Sequence, residues 1–222
     1  MNNVLNIDLQ SNKYYNLSND YIFKEVFGNK ILLNYLLKTC LNVSLDTYEF
    51  RNVELNKNNK YRYSPIVDFK IETDDTIYLV EMQNRNLYNM SERALFSFSR
   101  QCQNSLKPND NFNNIKKIKI LIFLNYRFYE DDNYQILGSN YKSYFSDKFE
   151  IKVYDILKRN DNLSKLFKIK SKEELDSLKL NKEESIIREY IKRFNMDSKV
   201  LLEIERRENI MYLEEIGLYN AR

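Results

Sequence analysis

Two acidic residues, Asp68 and Glu81, have the type and spacing that most directly suggest chemistry. They lie in the segment from Tyr63 to Gln83, YSPIVDFKIETDDTIYLVEMQ, which predicts two β-strands joined by a turn at Asp74-Asp75. Because cross-strand partners in an antiparallel hairpin have residue numbers with a constant sum, this turn places Asp68 opposite Glu81. The pattern therefore predicts two neighbouring carboxylates on one face of a sheet.

The opposite face of this hairpin is apolar. The same register pairs hydrophobic residues there, namely Val67 with Met82, Phe69 with Val80 and Ile71 with Tyr78. Such a face is expected to pack against a core. A longer turn with the same centre keeps these pairs, whereas a three-residue loop breaks them.

Ionised carboxylates on directly opposed residues repel each other. Opposed Cβ atoms lie about 4.5 to 5.5 Å apart, and two unit charges about 5 Å apart repel by about 3 kcal/mol at an effective dielectric near 20. A shared proton, a nearby Lys or Arg, or a bridging divalent cation offsets this repulsion. Alternatively, both side chains are solvated on an exposed sheet surface and pair with surface lysines. Lys70 lies on the same polar face.

The composition restricts the chemistry that these carboxylates could join. The 222-residue chain has no His, which excludes Ser-His and Cys-His nucleophile systems and metal sites that need imidazole. Its glycines, Gly28, Gly138 and Gly217, form no phosphate-binding loop. Catalysis is left to carboxylates, Lys, Tyr or a carboxylate-bound cation, and oxygen ligands favour Mg²⁺ or Mn²⁺ over Zn²⁺ or Cu²⁺.

The length of the chain predicts one domain with a helical extension. A net charge of +3 permits nucleic-acid binding but does not argue for it. We find no apolar run long enough to span a membrane and no evident signal peptide, so a cytoplasmic protein is expected. Cys40 and Cys102 lack metal-type spacing and are expected to be free thiols.

Periodicity and capping residues predict the helices around the hairpin. Residues 1–17 are expected to form a polar arm, and Ser18 or Asn19 to cap the first helix. Helices are predicted at residues 19–27, 30–40 and 91–105. Their expected buried side chains include Ile31 in the second helix and Leu95, Phe98 and Cys102 in the third.

Further strands are predicted after the third helix. Residues 115–126 begin with alternation and end in an apolar block, as expected of a central strand buried on both faces. Because a helix separates them from the hairpin, they are expected to run parallel to residues 76–83. Residues 149–155 form another alternating strand, residues 47–55 are an ambiguous strand, and residues 127–148 are a loop or small hairpin.

The last part of the chain is rich in Lys, Glu and Leu at helical spacing. Helices are predicted at residues 173–180, 182–194 and 198–218, and they could dock on the core or on a second subunit. The predicted organisation is therefore an arm at residues 1–17, a domain at 18–156 and a helical C-terminal region at 157–222.

Four features in this order resemble the recombination-promoting nuclease and transposase family, a branch of the PD-(D/E)XK nuclease superfamily. They are NDYIFKEVFG from Asn19, IVDFK from Ile66, LVEMQ from Leu79, and Arg93 on the following helix. The likeness covers about residues 18–154. It implies an α/β restriction-endonuclease-like core, a mixed β-sheet flanked by helices, and metal-dependent cleavage of DNA during recombination or transposition of mobile DNA.

The resemblance also implies roles for individual residues. Asp68 and Glu81 would hold Mg²⁺ or Mn²⁺ with the Met82 carbonyl as a third ligand, and Asp20 matches an acidic position near that site. Gln83 stands where the superfamily name has Lys. This branch commonly carries Gln, which orients water but supplies no charge.

Three cationic residues are candidates for the missing charge or for contacts with DNA. Lys24 and Lys70 are candidates for the charge, and Arg93 for contact with the carboxylates or a phosphate. Each is alternatively an ordinary surface residue. The predicted reaction is in-line attack on a phosphodiester by a metal-activated water, which Gln83 orients.

Two other functions remain open. One is a nuclease fold that is catalytically inactive and acts as a DNA-binding or assembly module, with a homodimer formed through the C-terminal helices. The other is a carboxylate hydrolase that acts on a small phosphorylated molecule. DNA binding without metal-dependent nicking of plasmid DNA would indicate the first alternative. Activity on model phosphodiesters without affinity for long DNA would indicate the second.

Overall fold

A computed structural model describes residues 13–45, 49–52, 67–85, 90–127, 133–135 and 146–220, with only the backbone described at 49–52, 133–135, 211 and 213–220. In this part of the chain a mixed β-sheet is covered by helices on both faces. The fold is therefore α/β, as the sequence predicts.

Six strands make up the described sheet. They are β1 (Glu49–Asn52), β2 (Phe69–Glu72), β3 (Thr76–Gln83), β4 (Lys117–Leu124), β5 (Asn133–Gln135) and β6 (Phe149–Asp155). Their order across the sheet is β1-β2-β3-β4-β6-β5. Strands β3, β4 and β6 run parallel to one another, and β1, β2 and β5 pair antiparallel to their neighbours.

The helices of the described residues begin close to the predicted positions. They are α1 (Asp20–Phe27), α2 (Lys30–Leu41), α3 (Met90–Asn104), α4 (Asn162–Leu166), α5 (Lys172–Ser177), α6 (Lys182–Met196) and α7 (Ser198–Asn220). Asn19 caps α1 by accepting the amide of Ile22, and Asn29 caps α2 in the same way. Of these helices, only α4 has no counterpart in the sequence analysis.

The predicted register of the hairpin is confirmed. Phe69 pairs with Val80, and the ladder continues to Glu72 and Ile77. At the turn, Thr73 exchanges backbone and side-chain hydrogen bonds with Thr76. The strand β4 runs parallel to β3, as predicted from the intervening helix, and is buried along most of its length.

Asp68 lies in a bend one residue before β2, and its amide donates to the Val80 carbonyl at 3.0 Å. This bend changes one predicted contact. Val67 packs with the residues under α3, whereas Phe69 and Ile71 pack on the opposite face with α1. The expectation that Val67 shares a face with Phe69 is therefore wrong, because strict alternation stops at the bend.

One large hydrophobic cluster joins the sheet to most of the helices. Phe23 of α1 lies at its centre, with ring centroids 5.9 Å from Phe69, 5.5 Å from Phe123 and 6.1 Å from Phe167. Apolar residues from the C-terminal helices belong to the same cluster, including Leu163, Leu175, Ile187, Ile191, Phe194 and Ile204. The region after residue 156 thus packs against the sheet.

The end of the predicted polar arm also enters this core. Tyr15 and Leu17 are buried, and the Leu17 amide donates to the Leu166 carbonyl at 3.3 Å. The arm therefore differs from the prediction at residues 13–17, because two apolar side chains here find partners in the helices that follow the sheet. Residues 1–12 lie outside the described part of the chain.

In each of two helices, one residue that was predicted to be buried is exposed. Leu95 of α3 is 47% exposed and Ile31 of α2 is 65% exposed. Helix α3 instead buries Met90, Ala94, Ser97 and Gln101, with Phe98 and Cys102 partly buried beside them. Cys40 and Cys102 are free thiols, as predicted.

Candidate active site

Three elements meet near the carboxyl end of β3. They are the bend before β2, the first two turns of α1 and the first turn of α3. Together they gather most of the predicted site residues: Asp20 and Lys24 from α1, Asp68 from the bend, Glu81, Met82 and Gln83 from β3, and Arg93 from α3.

Asp68 is 2% exposed and its carboxylate has two described partners. Oδ2 accepts the Met82 amide at 2.8 Å, and Oδ1 lies 3.2 Å from Lys24 Nζ. Because the chain bends at Asp68, its side chain takes the place of a backbone carbonyl opposite Met82. Burial raises the pKa of Asp68 to about 6, although the Lys24 charge and the Met82 hydrogen bond act in the opposite direction.

Glu81 lies on the next strand and is also buried, at 8% exposure. Its Oε1 accepts hydrogen bonds from Arg93 Nη2 at 2.9 Å and from Gln83 Nε2. Burial raises the pKa of Glu81 to about 7; the Arg93 charge lowers this pKa and the Asp68 charge raises it further. The charges of Asp68 and Lys24 thus both act on Glu81, although Lys24 belongs to a different element.

The burial of both acids decides between the two interpretations of the pair. On a solvent-facing surface, both side chains would be hydrated and would have little interaction with their neighbours. Asp68 and Glu81 are instead buried and contact a buried lysine of α1 and a partly buried arginine of α3, respectively. The solvated-surface alternative is therefore excluded.

Lys24 connects two acidic residues in this site. Its side chain is 9% exposed, and Nζ lies 2.8 Å from an Asp20 carboxylate oxygen and 3.2 Å from Asp68 Oδ1. Asp20 and Lys24 are one helical turn apart, the spacing at which side chains on a helix meet. The first two turns of α1 thus present a carboxylate–ammonium pair to Asp68.

Of the other two cationic candidates, Arg93 contacts an acid of the site and Lys70 pairs with a different residue. Arg93 contacts Glu81, as the sequence predicts. Lys70 forms an ion pair with Glu72 at 2.9 Å, and Lys116 contacts the same Glu72 at 3.0 Å. Of the two lysines that could supply the missing charge, the structure brings Lys24 to Asp68.

Some residues near the site were not singled out by the sequence. The Asn84 amide donates to the Ser18 carbonyl, and the Asn125 amide donates to Asn84 Oδ1 at 3.3 Å. Tyr126 lies close enough for the charges of Arg93 and Glu81 to affect its pKa, which burial raises. Asn84 and Asn125 directly follow β3 and β4, so the signal was their position at the carboxyl ends of neighbouring parallel strands.

A cleft of about 420 Å³ opens beside these residues. Its wall includes Asp20, Asn84, Arg85, Asn125 and Glu208. The cleft therefore joins the strand ends of the sheet to α1 and to the long helix α7.

The donor set suits a hard divalent cation. Burial raises the pKa of Asp68 and of Glu81, and the nearby Lys and Arg charges do not cancel this effect. A cation bound between the two carboxylates would favour their ionised form. In a β-strand, the N–H and C=O groups of one residue point towards the same neighbouring strand. Because the Met82 N–H donates to Asp68, the Met82 carbonyl also points towards Asp68. Among the described residues, no group of three or more His, Cys, Asp or Glu side chains could hold a metal ion.

A mixed sheet flanked by helices, with one acidic residue just before β2 and another near the end of β3, is the arrangement of a restriction-endonuclease-like fold. The chain belongs to the PD-(D/E)XK nuclease family transposases, because the sequence model of that family matches residues 17–215. This match confirms the predicted family and extends it through the C-terminal helices. No curated protein and no solved structure matches the chain. Within the described residues, every helix is too short or too polar to cross a membrane.

Proposed function

We propose that this protein is a metal-dependent DNA endonuclease that acts in the recombination or transposition of mobile DNA. The observation that carries the proposal is that Asp68 and Glu81 are both buried and each contacts a cationic side chain, in a chain of a nuclease family. A cytoplasmic protein with access to DNA is part of this proposal. The domain at residues 18–156 carries the site, and apolar residues of the following helices, up to Ile204, complete its core.

Asp68 and Glu81 would hold Mg²⁺ or Mn²⁺ together with the Met82 carbonyl. When bound, such a cation lowers the pKa of the attacking water and stabilises negative charge on phosphate oxygens. The oxygen-only donor set and the raised pKa values of both acids support this assignment.

The remaining residues of the site bind and orient. Gln83 is 7% exposed and bonded to Glu81, so its amide is held in place to orient the attacking water. Arg93 holds Glu81 from α3 and is a candidate for binding a DNA phosphate. Lys24 and Lys70 are further candidate DNA contacts, and Asp20 positions Lys24.

Plasmid nicking tests the proposal. The wild-type chain should convert supercoiled plasmid to nicked or linear DNA in Mg²⁺ or Mn²⁺. Asp68→Asn and Glu81→Gln should each lower the rate by more than about 100-fold, since even outer residues of metal sites contribute about 10- to 100-fold. Titration calorimetry should show Mn²⁺ binding to the wild type and its loss in both variants.

Matched controls exist for both acids. Asp155 is 3% exposed and accepts backbone amides after β6, and Glu184 is 5% exposed and bonds Tyr35. Asp155→Asn and Glu184→Gln should keep the nicking rate at a temperature where they are folded. Equal losses in the site and control variants would contradict the proposal.

A non-catalytic DNA-binding or assembly module is the second candidate, because Gln83 leaves the motif without its lysine. DNA binding without cleavage across a range of Mg²⁺ and Mn²⁺ concentrations would favour it. Assembly would be a homodimer through the C-terminal helices, and the exposed Leu202, Ile210 and Tyr212 of α7 support that possibility. Sedimentation of the purified chain measures the oligomeric state directly.

A further inference from the structure

The motif lysine is missing from this site. Gln83 occupies its position two residues after Glu81, and an amide supplies no positive charge. A transition state for phosphodiester cleavage gathers negative charge on phosphate oxygens, which cationic side chains stabilise. Any side-chain charge that complements the bound cation at the phosphate therefore comes from another residue of the chain.

Among the residues that the structure describes, Lys24 is the lysine that contacts one of the two acids. It extends from α1 to within 3.2 Å of Asp68, and its side chain is only 9% exposed. Lysine is almost never this buried unless it is paired. Its charge also acts on Glu81, on the neighbouring strand.

Asp20 gives Lys24 an anchor that is independent of Asp68. The two residues form an ion pair at 2.8 Å within α1. When Asp68 binds a cation, Asp20 therefore still holds the ammonium group beside the site. A lysine that only neutralised Asp68 would not need this second carboxylate.

We propose that Lys24 is a catalytic residue that supplies, at the scissile phosphate, the positive charge that Gln83 cannot, and that Asp20 positions it. This inference rests on the proposed nuclease function. As the water oxygen bonds to phosphorus, the bond from phosphorus to the leaving sugar oxygen breaks. The water loses a proton to solvent, the leaving oxygen takes one from solvent, and Lys24 stays protonated while it donates to a non-bridging phosphate oxygen.

The first experiment measures steady-state plasmid or oligonucleotide cleavage by Lys24→Gln. We expect kcat to fall by about 100-fold, which is the contribution of one preorganised donor to a developing oxyanion. KM, and the Mn²⁺ affinity measured by calorimetry, should change by less than about 3-fold, well under the 10-fold change that corresponds to about 1.4 kcal/mol. Lys24→Arg, which keeps the charge, should retain more activity than Lys24→Gln.

A second variant tests whether the charge can return to the motif position. Adding Gln83→Lys to Lys24→Gln should raise kcat at least about 10-fold, because one charge near the phosphate replaces another. Lys192→Gln is the matched control, since Lys192 is a part-buried lysine paired with Asp176 on a remote helix. It should leave kcat unchanged.

The outcomes separate this inference from the proposed function. An inactive wild type overturns both. With an active wild type, the inference fails if Lys24→Gln keeps its kcat, if the loss lies only in KM or Mn²⁺ binding, or if Gln83→Lys restores nothing. If Lys24→Gln does not fold, Asp20→Asn decides: we expect kcat to fall about 10-fold at unchanged KM, and an unchanged kcat overturns the inference.

Discussion

At Asp68 and Glu81, the effect of burial on the pKa is larger than the effect of the cationic side chain that each carboxylate contacts. Burial is the largest influence on the pKa of both side chains, and it raises these values to about 6 and about 7. An acid whose pKa is raised on folding stabilises the folded state only while it is protonated. Its contribution is therefore lost as the pH rises from the unfolded pKa to the folded pKa.

This sign gives a pH prediction for the metal-free protein. The double variant Asp68→Asn/Glu81→Gln replaces both acids with neutral side chains of the same shape. Between about pH 4 and pH 7 the stability of the wild type should fall relative to that of the variant, and above about pH 7 the difference should be constant. Thermal unfolding midpoints in EDTA across this range measure the difference. A wild type that gains stability relative to the variant on going to pH 7 would contradict the assignment.

The register of the hairpin could be predicted from sequence, but the surroundings of the two acids could not. The turn at Asp74-Asp75 fixes the pairs from Phe69–Val80 to Glu72–Ile77. The predicted direct pairing of Asp68 with Glu81 is not part of this ladder, because the Asp68 amide bonds to the Val80 carbonyl. The bend at Asp68 that turns its carboxylate towards the Met82 amide leaves no mark on the sequence pattern. Arg93 was predicted because it follows the hairpin on a helix start, whereas the position of Lys24 depends on how α1 packs across the sheet.

At the scale of the element, helix α1 connects the core to the site. Its face with Phe23 and Phe27 is fully buried, and the turn that carries Phe23 also carries Lys24. The position of Lys24 thus depends on how well the start of α1 is held, and Asn19 holds it by accepting the Ile22 amide at 3.2 Å.

Two asparagine helix caps allow this dependence to be measured. Asn19→Ala and Asn29→Ala each remove a cap, and each should lower the free energy of unfolding by about 1 kcal/mol. Only Asn19→Ala should also lower kcat, because α1 carries Asp20 and Lys24 whereas α2 carries no site residue. Denaturant titration and cleavage kinetics on the same samples provide the comparison. Equal kcat values in the two variants would show that the start of α1 does not position the site.

The elements themselves were predicted more reliably than their buried faces. Strand β6 has the predicted bounds and β4 the predicted direction, because β-periodicity and the crossover rule are local properties. Helix α3 was predicted with Leu95 inside, yet Ser97 and Gln101 are buried instead. Both faces of this helix carry apolar residues, so the buried face is decided by contacts with the sheet that spacing does not encode.

For the whole molecule, the helices after residue 156 share the core of the sheet. Phe167 stacks on Phe123 of β4 with centroids 5.3 Å apart and also lies against Phe23 of α1. A cluster shared in this way couples the stability of the C-terminal helices to that of the strands that carry the site. The site and the helical region are therefore expected to unfold together.

Phe167→Ala tests this coupling. Because Phe167 is 1% exposed, its truncation should cost about 3 to 5 kcal/mol. Hydrogen exchange should show an equal loss of protection in β3, β4 and α6 if they form one cooperative unit. Met196→Ala is the control, since Met196 is 79% exposed and surface substitutions usually change stability by less than about 0.5 kcal/mol. Loss of protection confined to α6 would show that the C-terminal helices unfold separately, and the strands would then hold Asp68 and Glu81 in place without them.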